Sequence, residues 1–318
     1  MVNADELKVG LAQMTPIWLN RDKTLAKMET WAQDAANQNC KLLVFPEAFV
    51  PGYPFWLELT DGARFNNKRQ KELHAHYLDQ AIQIEQGHLN GLCTIAREFG
   101  MMIVIGSIER PTDRGGHSVY CSMITIDTTG AVANIHRKLM PTYEERLCWS
   151  PGDGHGLRTF PLGAFTVGGL NCWENWMPLP RAALYAMGED LHLAIWPGQL
   201  RNTVDITPFL AKEGRSYSIS VCSFMRKEDI PDDIPYADVI RENSTEIMAN
   251  GGSCIAAPNG DWVIEPVINE EKLLVATLNH ARVREERQNF DPAGHYSRPD
   301  VTQLHVDRTR QSTLRIKE

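Results

Sequence analysis

The chain has 318 residues, 43% of them hydrophobic and 23% charged, with a net charge of −8. This composition allows a large globular core. No Lys/Arg-rich block supports nucleic-acid binding, and no apolar run reaches the ~18–20 residues of a membrane span.

Seven cysteines are scattered without a Cys-x-x-Cys pair, which argues against a disulfide framework or a zinc site. The N-terminus (Met-Val-Asn-Ala-Asp-Glu) is acidic and polar, unlike a signal peptide. A cytoplasmic protein with reduced thiols is expected. Asn243-Ser244-Thr245 matches a glycosylation sequon, which without a secretory signal is read as chance.

Residues 7–14 read as a first strand. Residues 21–38 carry Leu25, Met28, Trp31, Ala32 and Ala35 at helical spacing, with Asn20 as cap. Residues 41–45 form a second buried strand, so the chain opens β-α-β, as layered α/β folds do. Pro46-Glu47-Ala48-Phe49 follows directly. A carboxylate in so apolar a setting is costly to bury unpaired, and desolvation raises its proton affinity towards that of a general base.

Residues 60–80 are polar and read as a surface insertion or exposed helix. His74-x-His76 is not a metal pair, because positions i and i+2 of a helix do not share a face. Leu89, Leu92, Cys93, Ala96 and Phe99 predict a helix closed by Gly100, and strands follow at 101–108, 119–127 and 131–135. Lys138 lies just beyond the last of these, where a cation can stabilise negative charge developing on a substrate. Glu145, seven residues on, is placed to hold Lys138 or support the substrate.

Residues 165–170 predict a buried strand, and Pro178 and Pro180 suit the first turn of a helix that Gly188 ends. Cys172 therefore falls on the sharp connection between strand and helix, where a nucleophile is exposed and helical N–H groups face an anion. A thiol with a pKa of about 8.5 needs a base or a positive neighbour to react near neutrality. Strands at 191–196, 218–224, 253–257, 262–264 and 273–278 complete the pattern, with a helix at 205–217. Residues 226–250 read as an acidic, irregular surface excursion.

Glu47, Lys138 and Cys172 each follow a predicted strand, and catalysts in open α/β sheets gather at carboxyl strand ends. The residues alone thus point to thiol-based nucleophilic catalysis without naming a substrate. A papain-like Cys–His pairing is disfavoured because no histidine occupies a comparable motif.

Phe45-Pro-Glu-Ala-Phe-Val-Pro-Gly-Tyr-Pro54, His136-Arg-Lys-Leu-Met-Pro-Thr142 and Gly169-Leu-Asn-Cys-Trp-Glu174 closely resemble, in this order, the motifs of the nitrilase superfamily of carbon–nitrogen hydrolases. Cys172-Trp173-Glu174 resembles its true nitrilase branch, and residues 292–300 its C-terminal signature. The Tyr120-Cys121 pair departs from a common Tyr-Asn pattern.

The resemblance implies a four-layer α-β-β-α sandwich, with one catalytic domain over residues 1–300 and a tail, 301–318, at a subunit interface. It implies catalytic roles for Glu47, Lys138, Cys172 and Glu145, with no metal and no cofactor. The implied reaction is nitrile hydrolysis by water to a carboxylic acid and ammonia, with amide as a by-product. Amidase, cyanide hydratase or dihydratase, and a non-catalytic scaffold are the alternatives. A homodimer or larger homo-oligomer is expected, extending to a helical filament in some relatives. Tyr53, Trp173, Glu174 and Trp196 are the expected substrate-binding residues, with Trp149 and Trp176 as further candidates for an apolar pocket that takes an aryl or arylalkyl group.

Overall fold

The computed structural model describes residues 5–314. Side chains alternate along each strand, so a strand apolar on both faces can pack against a second sheet on one side and helices on the other. In β1 (Glu6–Gln13), Leu7, Val9 and Leu11 enter the core between two sheets, while Ala12 packs under helices.

The first sheet also contains β2 (Leu42–Val44), β3 (Met102–Glu109), β4 (Tyr120–Ile126), β5 (Val132–Arg137) and β13 (Lys272–Asn279), in the order β13-β1-β2-β3-β4-β5. Its centre, β1-β2-β3, is parallel and its remaining pairs are antiparallel. The second sheet contains β6 (Phe160–Leu162), β7 (Phe165–Asn171), β8 (Leu191–Trp196), β9 (Tyr217–Cys222), β10 (Phe224–Arg226) and β11 (Ile247–Ala256). Its order is β10-β11-β9-β8-β7-β6, with β12 (Trp262–Ile268) also paired to β11. Its centre, β7-β8-β9, is again parallel.

Val44, Met102 and Val104 of the first sheet meet Val167, Leu193 and Ile219 of the second in one core. Outside the first sheet lie the helices Arg21–Asn37 and Asn90–Phe99, which bury Leu25, Met28, Leu92 and Ala96. Outside the second lie Pro178–Ala186, through Leu184, and Ile206–Gly214, through Ile206 and Leu210. The layers are therefore α-β-β-α, as expected. Asn20 caps the first helix by accepting from the Lys23 N–H, and Gly100 ends Asn90–Phe99 at φ 55°.

One expectation needs correction. Residues 226–250 are not an irregular excursion: β10, the helix Ala237–Asn243 and the start of β11 occupy them. Ile230, Ile234, Ile240 and Met248 pack beside Trp56, Tyr77 and Trp149. Burying each such side chain is worth about 1.5–3 kcal/mol, enough to fold the segment down while its carboxylates stay in water. The helix expected at 205–217 is present as Ile206–Gly214, preceded by a short helix, Leu200–Thr203. The polar stretch 60–80 holds a helix, one of the two forms expected: Lys68–Gln80, which buries Leu73 and Tyr77. Of the tail, residues 301–314 are described. They run back to their own chain, where the Arg310 guanidinium lies 2.9 Å from Asp153.

Candidate active site

Glu47 follows β2 by three residues, and its N–H donates to the Trp196 carbonyl at the end of β8. The loop crosses β3 so closely at Gly106 that a Cβ there would lie 2.0 Å from the Pro46 carbonyl oxygen; only glycine permits the approach. Lys138 is one residue beyond β5, its N–H bonded to the Cys121 carbonyl on β4. Cys172 is the first residue after β7 and sits at φ 48°, a left-handed conformation that few side chains adopt. Glu145 comes from the short 3₁₀ helix Tyr143–Leu147.

The four side chains converge. Ligand atoms of Glu47, Glu145 and Cys172 lie within 4.8 Å of one another. Lys138 Nζ is 2.9 Å from Glu47 Oε1 and 2.8 Å from Glu145 Oε2. All four residues are buried. Two carboxylates and a thiol are a donor set suited to a metal, but both carboxylates are already bonded to the Lys138 ammonium. Glu145 is held further by the Thr142 N–H, at 2.6 Å, and the Tyr53 hydroxyl, at 3.0 Å. Among the described residues Glu47 Oε2 has no hydrogen-bond partner.

Burial pushes Glu47 up to about 7, with Lys138 pulling down and Glu145 pushing up. Burial likewise raises the Cys172 thiol well above its usual range, and Glu47 adds to this, so the resting group is a thiol rather than a thiolate. Burial opposes the Lys138 ammonium, but the carboxylates of Glu47 and Glu145 outweigh it and keep the group protonated. The cluster is poised for transfer of the thiol proton to Glu47 beside a fixed cation.

Cys172 and Glu145 open into a cavity of about 720 Å³, also lined by Tyr53, Phe55, Leu59, Trp173 and Met248. Its outer rim is polar, with Glu58, Arg201, Asn202 and Asn243 to Thr245. Two of the residues expected to bind substrate, Tyr53 and Trp173, are therefore on the cavity wall. Glu174 and Trp196 are not, which corrects that expectation. Trp196 is fully buried against Ile206 and Leu210, its indole N–H donating to Ser220 Oγ. Trp149 is buried beside Tyr77, and Trp176 stacks on Phe209 outside the cavity.

Glu174 instead joins the two sheets. Its carboxylate accepts the Asn171 N–H just before Cys172, the Leu139 N–H just after Lys138, and His136 Nε2. Burial disfavours its charge, but His136 and the two N–H groups outweigh burial and lower its proton affinity. The carboxylate thus fixes the spacing between the segments that carry Lys138 and Cys172.

Sequence reasoning missed Arg137, whose guanidinium donates to Glu109 at 2.9 and 2.8 Å and anchors the end of β5 to β3. The signal was an acid and a base at the last positions of β3 and β5. It also missed the rim, because half of it lies on the segment read as irregular.

The sequence matches the carbon–nitrogen hydrolase family profile over residues 8–288. The chain belongs to the carbon–nitrogen hydrolase family. It is a hydrolase acting on carbon–nitrogen bonds. An aliphatic nitrilase of Sinorhizobium fredii is 33% identical over 311 residues, which cover 97% of this chain and 98% of that protein. A nitrilase of Pseudomonas syringae is 34% identical over 313 residues, covering 94% and 89%. Among solved structures, a carbon–nitrogen hydrolase from Helicobacter pylori aligns with a TM-score of 0.70 at 17% identity, covering 93% of this chain and 97% of that one.

Proposed function

We propose that this carbon–nitrogen hydrolase is a nitrilase, converting an organic nitrile and two waters to a carboxylic acid and ammonia. One observation carries the reading: a thiol, an unpaired carboxylate oxygen and a fixed ammonium meet beneath one cavity, in a chain about one third identical to nitrilases along nearly its whole length.

Glu47 takes the Cys172 proton through its unpartnered oxygen. The sulfur bonds to the nitrile carbon, one π bond breaks, and the nitrogen takes the proton from Glu47, which returns to its carboxylate form and leaves a thioimidate. Lys138 offsets negative charge as it develops. Glu47 then deprotonates a water that adds to the carbon. The tetrahedral adduct loses ammonia to give a thioester, which a second water cleaves to the acid and free thiol. If the same adduct expels sulfur, the product is the amide. Glu145 and Tyr53 keep Lys138 in place.

Trp176, Met177, Leu179 and Phe209 form an exposed apolar face on the elements that follow Cys172. A face of this kind fits an interface, and we assign it to a homodimer, testable by light scattering before and after Phe209→Glu. Among the described residues no helix is long and apolar enough to cross a membrane. Seven free cysteines fit a cytoplasmic location.

Ammonia release from aliphatic, aryl and arylacetonitriles, their amides and cyanide tests the reading, with the products separated by chromatography. Acid plus ammonia from organic nitriles supports it. Turnover of amides alone, or amide formed only from cyanide, replaces it with an amidase or a hydratase.

A further inference from the structure

Behind Cys172 lies a second buried chain of polar groups that the proposed reaction does not use. Asn175 Nδ2 donates to the Cys172 carbonyl at 2.8 Å and to the Leu170 carbonyl at 3.2 Å. Asn175 Oδ1 is 2.7 Å from His192 Nε2. His192 Nδ1 is 3.0 Å from both carboxylate oxygens of Glu189. All three side chains are essentially inaccessible to water.

The donors and acceptors admit one arrangement. Two carbonyl oxygens can be satisfied only by the amide NH₂, so the Asn175 oxygen must face His192. That oxygen needs a donor, so Nε2 carries a proton. Nδ1 faces a carboxylate, so a proton lies between them as well. His192 and Glu189 therefore share one proton in a buried hydrogen-bonded pair. Gly168 makes room for it: a Cβ there would lie 2.2 Å from Glu189 Oε1.

We propose that Asn175, oriented by the His192–Glu189 pair, is a positioning residue for the nucleophile. In a planar trans peptide the carbonyl and N–H point in opposite directions. Clamping the Cys172 carbonyl on Asn175 therefore sets where the Trp173 N–H points. That N–H faces the Cys172 sulfur, where it favours the thiolate. Arg181 Nη1 holds the Asn175 carbonyl at 2.8 Å, so the clamp is itself braced. Without it, the left-handed turn at Cys172 is free to relax and carry the sulfur away from Glu47. The inference rests on the nitrilase reading for Cys172.

Three measurements test it. In protein labelled with ¹⁵N-histidine, His192 Nε2 shows a protonated shift at neutral pH, identified by its loss in a folded His192→Gln protein; a pyridine-type Nε2 overturns the orientation given to Asn175. Asn175→Asp puts a carboxylate oxygen against two carbonyls. It slows alkylation of Cys172 by iodoacetamide and lowers kcat by about a hundredfold, as expected for a displacement near 1 Å, while KM stays within about threefold. In Glu189→Gln the amide can donate to Nδ1 of a neutral ring and leave Nε2–H on Asn175, so it loses far less than Asn175→Asp. Wild-type alkylation and kcat in a folded Asn175→Asp protein, with Cys172→Ala inactive, defeat this inference alone. Turnover by Cys172→Ala defeats the nitrilase reading itself.

Discussion

The base of the cavity and its rim are built by opposite rules. At the base, Glu47, Lys138, Glu145 and Cys172 are buried, and Lys138 joins the two carboxylates through ion pairs of 2.9 and 2.8 Å. All but Glu145 hang from strand ends of two packed sheets. At the rim, Glu58 and Arg201 are exposed and sit on short helices. A buried charge stays only if every neighbour accommodates it, so the base tolerates little change. An exposed charge remains solvated, so the rim is free to vary with the substrate. Chemistry is expected to depend on the base and selectivity on the rim.

The largest effect should come from the nucleophile. Cys172→Ala is expected to lower kcat by about 10⁴-fold or more, with circular dichroism and the melting temperature close to wild type. Retained turnover in that protein would erase the contrast. Glu47→Gln should lose about 10²–10⁴-fold, the range for a general base. Because Glu47 is pushed up to about 7 and only its carboxylate form accepts the thiol proton, kcat/KM of the wild type should rise with pH through about 7. A profile flat from pH 5 to 8 would show that Glu47 does not titrate as the base.

Lys138→Met tests the energetic half of the comparison. It strands Glu47 and Glu145 without their cation, which should cost about 3–5 kcal/mol of stability in urea unfolding. Arg201→Gln at the rim should shift stability by no more than about 0.5 kcal/mol. Equal costs would mean that base and rim do not differ.

Glu174→Gln probes the link between the sheets. One of its two oxygen sites becomes an NH₂ group facing the Asn171 or the Leu139 N–H, so Lys138 and Cys172 should drift apart. Turnover should drop by about tenfold or more and the share of amide product should change; a normal rate with a normal product ratio would make Glu174 a purely structural brace. The smallest effects belong to the rim: Arg201→Gln and Trp173→Ala should alter KM and substrate preference several-fold while kcat on the best substrate stays within about threefold.

The same contrast explains what the sequence revealed. The base was legible because strand ends are marked by apolar runs that stop abruptly, and Glu47, Lys138 and Cys172 each follow such a stop. Glu145 needed the resemblance to a known family, since a glutamate after Pro141-Thr142 carries no distinctive pattern. The rim was not legible. Asn243 to Thr245 reach the cavity only because Ile234, Ile240 and Met248 bury themselves beside Trp56, a contact between segments far apart in the chain. Glu174 and Trp196 were misread for a related reason: neighbourhood in sequence to Cys172 and to a strand end does not fix the side to which a side chain points. Glu174 turns back onto the N–H groups of Asn171 and Leu139, and Trp196 turns towards the outer helix.

The central claim is that Cys172 carries the substrate during turnover. Acid quenching in the steady state with an organic nitrile that turns over, followed by intact-mass and peptide mass spectrometry, tests it directly. The account predicts an adduct with the mass of the acyl or imidoyl group on the peptide containing Cys172, absent in Cys172→Ala. Steady turnover with no adduct on Cys172, or an adduct on another residue, would contradict it.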